Sequence, residues 1–137
     1  MPRPPIIISP YPRTISETFD RETWDRLGEV AHIVWGNDEP MPEELFGDAL
    51  ADATVAAVGE WVYGRDALAH ASSSFRAVFE LLGTHNHPYL DYETCFARDI
   101  NVGSIAPEDF EAVISGSPPT RMQYATPELV ASLRGSA

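Results

Sequence analysis

Ile6-Ile7-Ile8, closed by Ser9-Pro10, is an unbroken β-branched run. A strand with one wetted face alternates apolar and polar positions, so an unbroken apolar run predicts a strand covered on both faces, as in a parallel sheet between helix layers. The neighbouring units agree. Asp20 can cap a helix that brings Trp24, Leu27, Val30 and Ala31 to one face, with Arg21, Asp25 and Arg26 elsewhere. His32-Ile33-Val34-Trp35-Gly36 predicts a second strand ended by glycine, with 37–40 as the loop after it. Pro42 at a first helical position, with Glu43 and Glu44 in the first turn, opens a helix carrying Leu45, Phe46, Ala49 and Leu50. Thr54 to Val58 is a third apolar run that stops at Gly59-Glu60-Trp61, and Gly64 to Ala71 predicts a short helix. Arg76 to Leu82 is the fourth strand, Leu90 to Arg98 a helix, and Asn101 to Ile105 the fifth strand.

Strand and helix thus alternate about five times, at roughly 20 to 25 residues per unit, which is the signature of a parallel sheet with helices on both faces. The expected fold is a flavodoxin-like open α/β sheet of about five strands, with a C-terminal helical tail. In such sheets ligands bind outside the carboxyl ends of the strands, where backbone N–H groups of the loops converge.

The 137 residues fit one domain. Hydrophobic residues at 44% and charged residues at 22% suit a globular core. Nine Lys and Arg stand against 21 Asp and Glu, a net charge of −12, which excludes a phosphate-backbone binder because nucleic-acid affinity comes from basic side chains. The same charge repels anionic lipid, and no apolar run approaches a membrane span, so neither a nucleic-acid nor a membrane partner is expected. Cys95 is the only cysteine, so no intrachain disulfide forms and a reducing, cytoplasmic setting is expected.

Three blocks carry a resemblance to a known family. They are Phe75-Arg76-Ala77-Val78-Phe79-Glu80-Leu81-Leu82-Gly83, then His87-Pro88-Tyr89-Leu90-Asp91-Tyr92-Glu93-Thr94-Cys95-Phe96-Ala97-Arg98, then Ile100-Asn101-Val102-Gly103-Ser104-Ile105-Ala106-Pro107. Together they are similar to the end of the substrate-binding domain of D-isomer-specific 2-hydroxyacid dehydrogenases. Val58-Gly59-Glu60-Trp61-Val62-Tyr63-Gly64 matches in order and spacing with less specific residues, and the likeness runs from Ile6 to Pro107. Asp99 departs from the family, which usually has glycine at this helix-to-strand turn; glycine accepts φ > 0 there more readily.

The resemblance implies a two-lobed NAD-dependent oxidoreductase acting on a small 2-oxo or 2-hydroxy acid. Its other lobe supplies the phosphate loop, a substrate-orienting arginine and an acid–base histidine. Residues 1–107 would be the substrate-binding domain and 108–137 a C-terminal helix and tail, the tail resembling the segment that comes after the nucleotide domain in such enzymes. The sequence contains no GxGxxG, so NAD is implied by the family but not expected to bind this chain alone, which is expected to be inactive in isolation. Removal of a middle nucleotide domain is the expected origin of this arrangement.

By position in the family, Gly59, Glu60, Trp61 and Val62 offer backbone N–H groups to the substrate carboxylate, and Gly83, Thr84 and His85 line the cleft. The plainer reading of the first group is that Gly59 ends a strand and Trp61 caps the core. His85, His87, Asp91 and Cys95 can all ligate zinc, but their spacing lacks paired-ligand character, so no metal is expected. No base is fixed beside Cys95, so it is not read as a nucleophile, and no catalytic residue is assigned. A receiver-like domain is disfavoured, since Ser9-Pro10 and Gly59-Glu60 stand where that function needs acids. The alternative from another class is a flavodoxin-like binding or dimerisation module with no catalytic role, whose uncovered cleft exposes apolar surface near Trp61, Phe110 and Val113 and favours a homodimer.

Overall fold

A computed structural model describes residues 3–81, 89–104 and 123–135. The first strand, β1 (Pro5–Ser9), is the centre of the domain. It pairs in parallel with β2 (His32–Gly36) on one side and β3 (Val55–Val58) on the other. Beyond β3 come β4 (Ala77–Glu80) and β5 (Asn101–Ser104), again parallel, giving the order β2-β1-β3-β4-β5 of a flavodoxin-like sheet.

The covered-on-both-faces reading of the isoleucine run holds residue by residue. Ile6, Ile7 and Ile8 are all fully buried, and successive side chains go to opposite faces. Ile7 joins Ala56, Val58, Val78 and Val102 in one core, while Ile6 and Ile8 join Val55, Ala57, Ala77 and Phe79 in the other. α1 (Ile15–Thr18) and α2 (Arg21–Val30) lie over the second core, which takes in Phe19 and Leu27. α3 (Glu43–Asp52), a 3-10 helix (Arg65–His70) and α4 (Tyr92–Ala97) cover the first through Phe46, Leu50, Leu68, Tyr92 and Cys95.

Local signals set the helix ends. Asp20 accepts from the Thr23 N–H at 2.7 Å, as expected for its cap, and that bond holds its carboxyl below the usual range. Thr14 and Glu17 form a capping box at α1. Pro42 is the cap residue and not the first helical one, a shift of one position. At the far end of α4, Arg98 donates to Leu68 O at 2.7 Å and Ala71 O at 2.8 Å, tying the 3-10 helix to α4.

Two features depart from the expected sheet. β2 carries an irregularity: Ile6 faces Ile33 and Ile7 faces Trp35, so Val34 is an extra residue, and it is exposed. A sixth strand, β6 (Gln123–Tyr124), pairs antiparallel with β5. After it, α5 (Pro127–Gly135) buries Val130 in the first core. The tail segment that is described therefore packs on the same core as the rest. The helix expected over 108–116 lies outside the described residues.

Candidate functional site

The carboxyl ends of β1, β3 and β4 meet at one edge, and the last cross-strand row there runs Ser9, Val58, Glu80, Ser104. Among the described residues, the buried polar or charged side chains are Ser9 and Glu80, both on this row. The apolar core thus ends in a polar floor directly below the strand-end loops. Glu80 is fully buried, and the Tyr92 hydroxyl donates to its Oε2 at 2.8 Å. No motif in the sequence singles out this pair. The signal was present, since Glu80 is a lone acid inside the apolar run Ala77-Val78-Phe79-Glu80-Leu81, and a buried acid needs a donor.

The turn after β3 is built by a glycine and two aromatics. Gly59 donates its N–H to Ser9 O at 2.9 Å, carrying the ladder one residue past β3. A Cβ on Gly59 would collide with the backbone carbonyls of Pro10 and Tyr11, so only glycine lets the loops after β1 and β3 lie against each other. From there the chain alternates: Trp61 and Tyr63 point inward and are buried, while Glu60 and Val62 point outward and are exposed. Tyr63 stacks on Phe46 with ring centroids 3.6 Å apart and planes 4° apart, and Trp61 stands edge-on to both rings. The Tyr63 hydroxyl donates to Met41 O at 2.7 Å. Burial pushes that phenol up to about 12.

Two of the expectations for this turn change in detail. Gly59 acts as a spacer and not as a donor, because Ser9 already takes its N–H. The N–H groups of Glu60, Trp61 and Val62 bond to no other described residue, so three successive donors sit on a strap pinned by buried aromatics. Trp61 does cap the core, being only 3% exposed, and so contributes no apolar surface at the edge. The exposed apolar side chains there are Tyr11, Val62 and Tyr89. Gly83, Thr84, His85, Phe110 and Val113 lie outside the described residues.

Of the four candidate metal ligands, Asp91 and Cys95 are among the described residues. Asp91 caps α4, accepting from the Thr94 hydroxyl at 2.7 Å and Thr94 N–H at 3.2 Å, and pairs with Arg65 at 3.5 Å. The Thr94 hydroxyl is the main cause that holds the Asp91 carboxyl below its usual range. Cys95 is fully buried, and burial first, then the charges of Asp91 and Glu80, push its thiol up to about 12. A fully buried cysteine in apolar surroundings behaves as a structural residue. No cluster of three or more His, Cys, Asp or Glu that could hold a metal occurs among the described residues. Nor is any described helix long and apolar enough to cross a membrane.

No family model and no curated protein matches the chain by sequence. Solved structures do match. A phosphoglycerate oxidoreductase from Rhizobium etli superposes with TM-score 0.62 at 25% identity, over 74% of this chain and 30% of its own. The holo form of Rhodotorula graminis D-mandelate dehydrogenase gives TM-score 0.55 at 16% identity over 76% of this chain and 31% of that one. An acyclic imino acid reductase in complex with NADPH and D-Arg gives 0.54 at 15% over 73% and 30%. The last two likenesses speak to fold alone. The chain spans about 30% of the length of the solved structures it matches. With the sequence blocks from Phe75 to Pro107, the match to the phosphoglycerate oxidoreductase makes the chain similar to one part of a D-2-hydroxyacid-type dehydrogenase.

Proposed function

We propose that the chain is the substrate-binding lobe of an NAD-dependent D-2-hydroxyacid dehydrogenase, and that it holds the carboxylate of a small 2-oxo or 2-hydroxy acid on the N–H groups of Glu60, Trp61 and Val62. The observation that carries this reading is the strap itself: three successive donors without a described partner, at the carboxyl edge of a parallel sheet, fixed from below by Trp61 and Tyr63. Backbone N–H groups that no described residue takes are free to donate to a carboxylate that comes close. The exposed Glu60 side chain and the net charge of −12 oppose an anion, so these local donors must supply the attraction.

The sequence lacks the glycine-rich turn that holds a dinucleotide pyrophosphate, so NAD does not fit this chain's own residues. Hydride transfer between nicotinamide and C2 of the acid, with proton transfer by a histidine, would belong to a separate nucleotide-binding lobe. This chain's part would be to bind, orient and enclose the acid.

Amide NMR titration with pyruvate and with D-lactate tests the reading. Saturable shifts concentrated at the amides of residues 60–62 support it. Shifts spread over the surface, or none, remove it. NADH fluorescence in the same samples should show no saturable binding, and turnover without added protein would overturn the division of labour.

A further inference from the structure

The helices over the second core leave a cavity that the strap does not use. It has a volume of about 490 Å³ and lies between α1, the start of α2 and the loop after β2. Ile15, Phe19 and Trp24 supply its apolar lining, and Asp20, Arg21 and Asp38 its charged lining. Ile15 and Trp24 pack on the second core, whereas Trp61 and Tyr63 of the strap belong to the first, so cavity and strap lie on opposite sides of the sheet.

The cavity wall is aromatic. Phe19 and Trp24 meet with ring centroids 5.6 Å apart and planes tilted by 50°. Gly36, at the end of β2, makes room for the indole, since a Cβ there would come within 2.8 Å of the Trp24 ring. Trp35 and Trp61 donate their indole N–H groups to Glu39 O and Gly64 O, but Trp24 donates to no described residue. Asp38 accepts from the Ile15 N–H at 2.7 Å and Asp20 from the Thr23 N–H at 2.7 Å, so neutral backbone amides hold both carboxylates in place and leave their charge unbalanced. Arg21 is drawn off toward Asp25 at 3.4 Å, with its side chain 90% exposed. Residues 13–26 and 38–39 together carry six carboxylates against three arginines, so the surroundings are negative.

Negative potential around an electron-rich ring selects a cation, and tryptophan is the strongest aromatic partner for one. Because backbone amides already engage the carboxylates, a cation with no N–H of its own to satisfy suits them best. We propose that this cavity binds a small quaternary ammonium compound, its methyl groups against Trp24 and Phe19 and its charge facing Asp20 and Asp38.

The test is an NMR titration of the full chain with choline, followed at the indole N–H signals. The Trp24 indole should shift saturably while the Trp61 indole stays fixed as an internal reference. The neutral analogue of choline, with carbon in place of nitrogen, should bind at least about fivefold more weakly. Asp20→Asn with Asp38→Asn keeps both acceptors for the backbone amides and removes both charges, and should weaken choline binding about tenfold. Trp24→Leu should weaken it about fivefold. If that variant does not fold, the double asparagine variant decides by itself. Equal binding of choline and its neutral analogue overturns the proposal, as does choline binding that ignores the two asparagines. A Trp24 indole that does not move at any choline concentration overturns it as well.

Discussion

Tyr92, one turn before Cys95 on α4, donates its hydroxyl to Oε2 of the fully buried Glu80 at the end of β4, 2.8 Å away. The bond crosses from helix to sheet at the level where the core turns polar. It therefore fixes where α4 sits relative to the strand that leads into residues 81–89.

Removing the donor leaves a buried acid short of a hydrogen bond, which is more costly than removing both partners. Tyr92→Phe should destabilise the fold by about 2 kcal/mol. Glu80→Gln, which keeps an acceptor, should cost less. Urea denaturation of the two variants checks the order, and equal loss or none would show that the pair does not hold α4 to the strand.

Asp99 has φ 56°, the left-handed region anticipated from its place in a turn where glycine is usual. Asp tolerates this conformation better than most residues, and glycine better still. Asp99→Gly should stabilise the fold by roughly 0.5 kcal/mol, and Asp99→Ala should destabilise it by about 1 kcal/mol. The midpoints of chemical denaturation should rank Gly above Asp above Ala.

Much of the sheet was readable because its strands are buried on both faces: Ile6 to Ile8 and Val55 to Val58 have no polar position to blur the pattern. β6 was not readable, since Gln123-Tyr124 is two residues long and has no period, and pairing with β5 alone defines it. The bulge at Val34 was hidden for a related reason, because register depends on the partner strand. At the site, Gly59 could be located from the strand-ending signal, yet its role as spacer depends on contact with Pro10 and Tyr11, nearly fifty residues away in the chain. That Trp61 caps the core is one of the two readings the sequence allows, and its packing on Phe46, fifteen positions away, decides it.

Gly59→Ala puts a methyl group where two backbone carbonyls stand, and neither can swing away as a side chain could. The loops after β1 and β3 must part, at a cost of about 3 kcal/mol. The same change should abolish the pyruvate-induced shifts at Glu60, Trp61 and Val62, because the strap loses its anchor to Ser9. Circular dichroism should still report a folded α/β domain. Unchanged ligand shifts in a folded Gly59→Ala variant would detach the strap from the binding proposal.

Two buried acids set the alkaline limit. Cys95 and Tyr63 are each raised to about 12, from ordinary values of 9.0 and 10.0, chiefly by burial. In the unfolded chain they lose protons near those ordinary values, while the folded chain keeps them. Between about pH 9 and about pH 12 the unfolded state therefore binds fewer protons, and stability falls as pH rises. Below about pH 9 this contribution is intact. The urea midpoint should decline between about pH 9 and about pH 11, and Cys95→Ala combined with Tyr63→Phe should flatten the decline even though it lowers stability at neutral pH. A slope that persists undiminished in the double variant would assign the alkaline loss to other groups.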